Sequence, residues 1–128
     1  MTKNKSDYTV LSIDDSDILT ALMKTLMEDE GYTFYSTESA AEAIKLINKH
    51  HFDIILMDIE MPGITGVELL KALNNKKLLQ KTKVIMLTAK SDPDSISECI
   101  QLGAAGYILK PFQHDDIKTR VWKYLQEI

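Results

Sequence analysis

The sequence has few of the residues that mark several common protein classes. Its 128 residues include one cysteine, three prolines and five glycines. A single cysteine excludes an internal disulfide and is typical of proteins in a reducing compartment. The low proline and glycine content, with 45% hydrophobic residues, excludes collagen-like and disordered chains. A chain of this length predicts one domain over residues 1–128, with a hydrophobic core of its own.

Long hydrophobic runs and an excess of positive charge are also missing. The longest uninterrupted apolar stretches have four residues, as in Ile54–Met57, whereas a transmembrane helix needs about 20. No apolar segment of the signal-peptide type follows the charged start of the chain. Lys and Arg number 15 and Asp and Glu number 19, so the formal net charge is −4. The sequence therefore predicts a cytoplasmic protein that binds neither membranes nor, directly, nucleic acid.

Five short strand-like segments alternate with five amphipathic helical patterns. The strand candidates are Thr9–Ile13, Tyr32–Ser36, Ile54–Met57, Lys83–Leu87 and Gly106–Leu109. Three of them are almost continuously apolar, which is typical of parallel strands covered on both faces. Gly31 and Gly103 are predicted to end the first and fourth helices, and Thr37 and Ser91 to cap the second and fourth helices at their starts. The pattern predicts a (βα)5 fold of the α/β class, with a doubly wound, five-stranded parallel sheet.

Charged and hydroxyl side chains follow four of the strand candidates. Asp14 and Asp15 come after the first strand and Asp58 after the third; Thr88 and Lys110 come after the fourth and fifth. The carboxyl ends of parallel strands meet at one edge of the sheet, so we expect these side chains to converge. Three carboxylates suit Mg²⁺, which prefers oxygen ligands and phosphate. One carboxylate would then be placed to attack phosphorus and form an aspartyl phosphate.

These residues give the chain a resemblance to the receiver domains of two-component response regulators, and especially to single-domain chemotaxis regulators. The resemblance extends over about residues 9–125 and is carried by Asp14–Asp15, Asp58–Gly63 with Gly66, Thr88–Ala89 and Gly103–Phe112. It implies a flavodoxin-like strand order of 2-1-3-4-5, which periodicity alone does not provide. It also implies that the peptide bond before Pro111 is cis.

The resemblance implies a phosphoacceptor site that works with Mg²⁺. Asp58 would accept a phosphoryl group from a phosphohistidine on a sensor histidine kinase or a histidine phosphotransfer protein. The cation would be held by Asp14, Asp15 and Asp58, together with the backbone carbonyl of Glu60. Such a domain is a phosphorelay switch and not an enzyme, because it catalyses only its own phosphorylation and dephosphorylation.

The same resemblance implies how the phosphoryl group is sensed. Thr88 and Lys110 would contact it, and Tyr107 would be the aromatic switch residue. Phosphorylation would shift the populations of two conformations of the surface formed by the fourth helix, the fifth strand and the fifth helix. That surface would bind a downstream effector of unknown identity or a second copy of the domain in a phosphorylation-dependent dimer.

Two apolar residues outside the shared motifs are predicted to contact partners. Ile18 lies off the centre of the first helix's apolar stripe, where an exposed side chain would suit docking of the phosphodonor protein. Packing in the core is the alternative. Trp122 lies about 115° from the middle of the fifth helix's stripe and is predicted to contact an effector or dimer partner on the switch surface. The alternative is that its ring covers the stem of Lys118 or Lys123.

Other features are assigned to structure alone. The basic segments Lys76–Lys77 and Lys81–Lys83 are interpreted as parts of a solvated loop. A pairing between Glu60 and Lys90 across the site is one hypothesis, and two independent solvated side chains are the alternative. The core-facing stripes of the fourth and fifth helices are predicted to consist of Ile96, Cys99 and Ile100, and of Ile117, Val121, Tyr124, Leu125 and Ile128.

Three other functions remain as alternatives. A phosphatase of the haloacid dehalogenase type also uses a strand-end Asp and Mg²⁺, with a second acid two residues later, where Glu60 stands. That class has a Thr two residues after the second acid and a cap insertion, and the sequence lacks both. A flavin-binding module of this fold would need a Ser/Thr/Gly-rich phosphate loop after the first strand. A degenerate receiver acting as an adaptor would not need all five site residues.

Overall fold

The computed structural model describes residues 3–61, 63–89 and 93–127. A short 3₁₀ turn over Lys5–Asp7 precedes five alternating strand–helix units. The strands are β1 (Thr9–Ile13), β2 (Thr33–Thr37), β3 (Ile54–Asp58), β4 (Lys83–Thr88) and β5 (Gly106–Leu109). The helices are α1 (Asp17–Asp29), α2 (Ala40–Lys49), α3 (Gly66–Asn75), α4 (Pro93–Gln101) and α5 (His114–Gln126). None of these helices is both long and apolar enough to cross a membrane.

The strands form one parallel sheet in the order β2-β1-β3-β4-β5, which confirms the predicted fold. Helices α1 and α5 cover one face of the sheet, and α2, α3 and part of α4 cover the other. Alternate residues of β3 serve the two faces: Ile54 and Leu56 pack with α1 and α5, and Ile55 and Met57 with α2 and α3. Double coverage explains why the central strands are almost continuously apolar.

The start of α2 differs from the prediction because two hydroxyl residues compete for the cap. Ser39, and not Thr37, is the N-cap, and its side chain accepts a hydrogen bond from the Glu42 amide at 3.2 Å. Thr37 ends β2 instead and donates its hydroxyl proton to the Glu42 carboxylate at 2.8 Å. The predicted cap Ser91 and the predicted partner Lys90 lie outside the described residues.

Helices α4 and α5 bury narrower stripes than the sequence predicts. In α4 only Cys99 is buried, and Ile100 is largely exposed. In α5 the buried residues are Ile117, Val121 and Leu125, whereas Tyr124 is partly exposed over the start of β5. Tyr124 lies at the margin of the stripe, where its hydroxyl can reach the sheet edge. Ile128 lies outside the described part of the chain.

Gly66 begins α3 in direct contact with the segment that carries Asp58. A Cβ at this position would collide with the backbone carbonyl of Asp58 and lie 2.8 Å from the Cα of Ile59. The Gly66 amide donates a hydrogen bond to the Ile59 carbonyl at 2.9 Å. Thr65 and Glu68 complete a capping box at the same helix end. The absence of a side chain at Gly66 thus sets how closely α3 approaches the end of β3.

We expect Gly66→Ala to destabilise the fold and to displace the Asp58 backbone. The added methyl group meets backbone atoms, which move less readily than a side chain, and such overpacking costs roughly 1–3 kcal/mol. Thermal unfolding and amide chemical shifts of residues near Asp58 would measure the two effects. Gly63→Asn is the matched control, because Gly63 has open space around it and Asn tolerates its positive φ of 79°. Equal stability of both variants would contradict the prediction.

Candidate functional site

Carboxylates from two strand ends meet at the carboxyl edge of the sheet. Asp14 and Asp15 follow β1, and Asp58 is the last residue of β3. One carboxylate oxygen from each of these three residues lies within 4.8 Å of the other two. Asp14 and Asp58 are buried, with 1% and 7% of their surface exposed, whereas Asp15 is open to solvent. The predicted convergence of these three carboxylates is therefore present.

Lys110, which follows β5, extends its ammonium group between the two buried carboxylates. Its Nζ lies 3.2 Å from Asp14 Oδ2 and 3.5 Å from Asp58 Oδ2. The Lys110 amide donates a hydrogen bond to the Thr88 carbonyl at 2.7 Å, which ties this residue to the end of β4. The Lys110–Pro111 peptide bond is cis. One cation thus contacts two of the three carboxylates.

The second oxygen of each buried carboxylate accepts a backbone hydrogen bond. The Ser16 amide donates to Asp14 Oδ1 at 2.8 Å, and the Glu60 amide donates to Asp58 Oδ1 at 3.1 Å. In both carboxylates, therefore, one oxygen binds a backbone amide just after the strand, and the other oxygen faces the Lys110 ammonium group. This arrangement gives the two side chains fixed orientations before any ligand arrives.

The carboxyl group of Asp58 is destabilised in its charged form. Burial raises the pKa of Asp58 above its ordinary value, and the neighbouring Asp14 raises it further. Lys110 and the Glu60 amide lower this pKa without cancelling the effect of burial. Three carboxylates and one ammonium group make the site acidic when all are ionised. An added divalent cation would offset this repulsion, and carboxylate oxygens are the ligands that Mg²⁺ prefers.

In the absence of Mg²⁺, we expect Asp58→Asn to raise the thermal unfolding midpoint at about pH 7 by a few degrees. Folding raises the pKa of Asp58, so the wild type loses stability as the pH rises. The loss begins near the Asp pKa in the unfolded chain, about 4, and is complete above the higher pKa in the folded protein. At about pH 3 the carboxyl is protonated in both states and the advantage disappears. Thermal scans in a chelator at both pH values would measure the difference.

Asp53→Asn is the matched control for this comparison. Asp53 is also a buried carboxylate, but one of its oxygens accepts a hydrogen bond from the Thr9 amide at 2.8 Å, and the other lies 3.3 Å from His51 Nε2. Its substitution should lower the unfolding midpoint at the same pH. A midpoint for Asp58→Asn that is equal to or below that of the wild type would contradict the inferred cost of the ionised group.

Thr88 and Tyr107 lie on the neighbouring strands β4 and β5. Thr88 ends β4, is buried, and is paired in register with Leu109 of β5. Tyr107 lies two residues earlier on β5 and is exposed over 37% of its surface. Its ring borders a cavity of about 760 Å³, which is also lined by Ile100 and Tyr124. The surface with this cavity lies between α4, β5 and α5.

A sequence profile of the response regulator receiver domain matches residues 10–122. The chain belongs to this family. Chemotaxis protein CheY of Pseudomonas aeruginosa is 31% identical over 120 residues, which cover 93% of this chain and 97% of that protein. Sporulation initiation phosphotransferase F of Bacillus subtilis is 33% identical over 116 residues, which cover 91% and 92%. The receiver domain of Francisella response regulator 1452 superposes with a TM-score of 0.86, at 31% identity, over 94% of this chain and 98% of that one.

Ile18 of this receiver domain is exposed, as the sequence predicts. Its surface is 85% accessible, which excludes packing in the core. The neighbouring residues Leu19 and Leu22 of α1, with Pro111 and Phe112 after β5, line an apolar cavity of about 340 Å³ that also includes Ala89 and Lys110. This cavity was not predicted, because its walls come from parts of the chain that are far apart in sequence.

The predicted location of Trp122 in the receiver domain is wrong. Its ring lies edge-on to Tyr8, with centroids 5.9 Å apart, and the Lys5 ammonium lies 5.4 Å from its centroid. Trp122 packs against the core on the α1 side of α5, away from the cavity beside Tyr107. The angle from the apolar stripe predicted partial exposure correctly, but the ring lies on the opposite flank of the helix. The ammonium group over this ring is that of Lys5.

Proposed function

We propose that this receiver domain accepts a phosphoryl group on Asp58 from a phosphohistidine of a sensor kinase or a histidine phosphotransfer protein. The observation that supports the proposal most directly is the orientation of the Asp58 carboxylate. One of its oxygens is held by the Glu60 amide, and the other faces the Lys110 ammonium at 3.5 Å. Two further carboxylates lie within 4.8 Å, which suits a site for a divalent cation and a phosphoryl group.

In the transfer step, an Asp58 oxygen forms a bond to phosphorus while the phosphorus–nitrogen bond of the donor breaks. The electron pair of the broken bond stays on the imidazole nitrogen. Lys110 would place a positive charge beside the phosphoryl oxygens, and the Thr88 hydroxyl would donate a hydrogen bond to them. Phosphoryl transfer depends mainly on such positioning and charge neutralisation. Attack of water on the same phosphorus would later release inorganic phosphate and restore the carboxylate.

The residues that would hold Mg²⁺ are Asp14, Asp15 and Asp58, with the backbone carbonyl of Glu60. The fit of this set rests on its chemistry: all four groups offer oxygen, and the three carboxylates lie close together. When bound, the cation would offset the charge of the carboxylates and of the phosphoryl oxygens. Asp15, the exposed member, would remain accessible to an incoming ion and its waters.

The phosphoryl group would be sensed through Thr88 and Tyr107. Thr88 would move toward the phosphoryl oxygens, and Tyr107 would turn into the space behind it. Support comes from their neighbouring strands and from the exposed Tyr107 ring beside a cavity. The surface between α4, β5 and α5 would then bind an effector or a second copy of the domain in a phosphorylation-dependent manner.

We expect acetyl phosphate with Mg²⁺ to add one phosphoryl group to the intact protein, at Asp58. Mass spectrometry should show the mass gain in the wild type and its loss in Asp58→Asn. Removal of Mg²⁺ should abolish labelling, because the uncompensated carboxylates repel the donor. Retention of the full mass gain in Asp58→Asn would disprove the assignment. Steady turnover of a phosphomonoester such as para-nitrophenyl phosphate would instead support the phosphatase alternative.

The phosphodonor protein would dock on the apolar surface beside the site. Ile18 is the most exposed large hydrophobic residue described, and it is the second residue of α1, close in sequence to Asp14 and Asp15. The cavity lined by Leu22 and Phe112 adjoins Lys110, so a donor helix that covers Ile18 would also lie next to the acceptor. A central apolar anchor of this kind contributes much of the binding energy in protein interfaces.

We expect Ile18→Glu to slow phosphotransfer from the cognate kinase or phosphotransfer protein by roughly 5- to 100-fold, as loss of one apolar anchor does. Labelling by acetyl phosphate should be unchanged, because the small donor needs no docking surface. Ile100→Glu is the matched control, since Ile100 is also exposed but lies on α4. Unchanged transfer from the protein donor in Ile18→Glu would exclude docking at this position.

A further inference from the structure

The edge of the sheet opposite to Asp58 carries an open cleft between the end of α2 and the segment that joins α3 to β4. We call it the basal cleft; its volume is about 330 Å³. Its apolar lining consists of Ile47, Phe52, Ile55, Leu73, Leu78 and Leu79. Ile55 precedes Asp58 by three residues on β3, so the cleft lies about 10 Å from the acceptor along the strand. None of the proposed phosphorylation or switch residues lines it.

Four exposed lysines stand on the two segments that form the walls of the basal cleft. Lys49 lines the cleft itself, and Lys76, Lys77 and Lys81 lie on the segment that contributes Leu78, Leu79 and Thr82 to its lining. Within the described residues none of the four takes part in an ion pair. Asp53 is the one acidic residue within residues 47–55 and 73–82, and it is already engaged: it accepts a hydrogen bond from the Thr9 amide at 2.8 Å and lies 3.3 Å from His51 Nε2. The segments that form the rim of this apolar cleft are therefore basic, although the whole chain carries a net charge of −4.

Lys77 occupies a backbone position that normally favours glycine. Its φ is 58°, in the left-handed region. It follows α3 in a Schellman motif, in which the Leu78 amide donates to the Leu73 carbonyl and the Lys77 amide to the Asn74 carbonyl, both at 3.0 Å. Glycine would adopt this conformation without the steric cost that a side chain has there. The helix dipole favours a positive charge near the end of α3, but it does not require that the charged side chain be on the residue with the left-handed backbone.

We propose that the basal cleft is a docking site for an acidic segment of a partner protein, which places an apolar side chain on the floor and carboxylates against the lysine rim. The concave apolar floor matches a side-chain anchor, and the charge of the rim matches Asp and Glu. The opposite edge of the sheet is acidic and would repel the same segment. Because the cleft excludes Tyr107 and α4, binding should be equal in the phosphorylated and unphosphorylated protein.

The test uses the full chain, labelled with ¹⁵N, and a short peptide of aspartate and glutamate around two adjacent leucines. We expect saturable amide shifts confined to residues 47–55 and 73–82, weakened by added salt. A peptide with lysine in place of the acids, and one with serine in place of the leucines, should each bind at least about tenfold more weakly. The same titration after treatment with acetyl phosphate should leave the affinity unchanged.

Lys77→Gly separates binding from stability. We expect this variant to be as stable as the wild type or more stable, because glycine relieves the left-handed conformation, while its affinity for the acidic peptide falls severalfold. Lys24→Ser is the matched control, since Lys24 is an exposed lysine on α1 far from the cleft, and its affinity should stay the same.

Three results would overturn the proposal. One is equal binding of the lysine peptide, and another is unchanged affinity in Lys77→Gly. The third is an absence of saturable shifts at the cleft with the acidic peptide. If vesicles containing phosphatidylserine shifted the same amides while the peptide did not, the basic rim would be a membrane contact and the peptide proposal would be wrong. The proposed phosphorylation of Asp58 is independent of all these outcomes.

Discussion

The contact of one ammonium group with two buried carboxylates is the interaction on which the site depends. Lys110 reaches Asp14 at 3.2 Å and Asp58 at 3.5 Å, and these three residues stand at the ends of three different strands. The contact exists only while β1, β3, β4 and β5 keep their parallel register. A slip of one residue in any strand would turn its side chains to the other face of the sheet. The apolar core on both faces therefore holds the charges in place.

This dependence explains why much of the molecule could be predicted from the sequence. Strands β1, β3 and β4 are covered on both faces, so they consist of nearly continuous apolar residues with polar residues just beyond. The bounds predicted for β1 and β5 match the structure, and β3 and β4 extend one residue further, to Asp58 and Thr88. Convergence of the site followed from the rule that parallel strands end at one edge. The strand order itself came from resemblance, because periodicity contains no information on which strands are neighbours.

The features that could not be predicted are those that combine distant segments or choose between equivalent neighbours. An angle on a helical wheel predicted that Trp122 is partly exposed, but not that Tyr8 and Lys5 would cover its ring. Thr37 and Ser39 are both good caps, and only the end of β2 decides between them. In the sequence, the lysines of the α3–β4 segment indicated only a solvated loop. The apolar cleft beside them could not be predicted, because α2 and β3 also contribute residues to its lining.

The parallel topology also sorts charge between the two edges of the sheet. Every helix starts at the carboxyl edge, where its positive dipole end favours carboxylates, and ends at the amino edge, where cations are favoured. Acidic residues occupy the first turns of all five helices, and lysines occur in the last turns of α2 and α5. A phosphoryl group on Asp58 would replace the single charge of the carboxylate with nearly two charges on phosphate, so the acidic edge would gain about one negative charge. Among the described residues, Lys110 and the starts of the helices are placed to offset it. The basic edge would keep its positive electrostatic potential, so a partner bound there through charge would stay bound when Asp58 is phosphorylated.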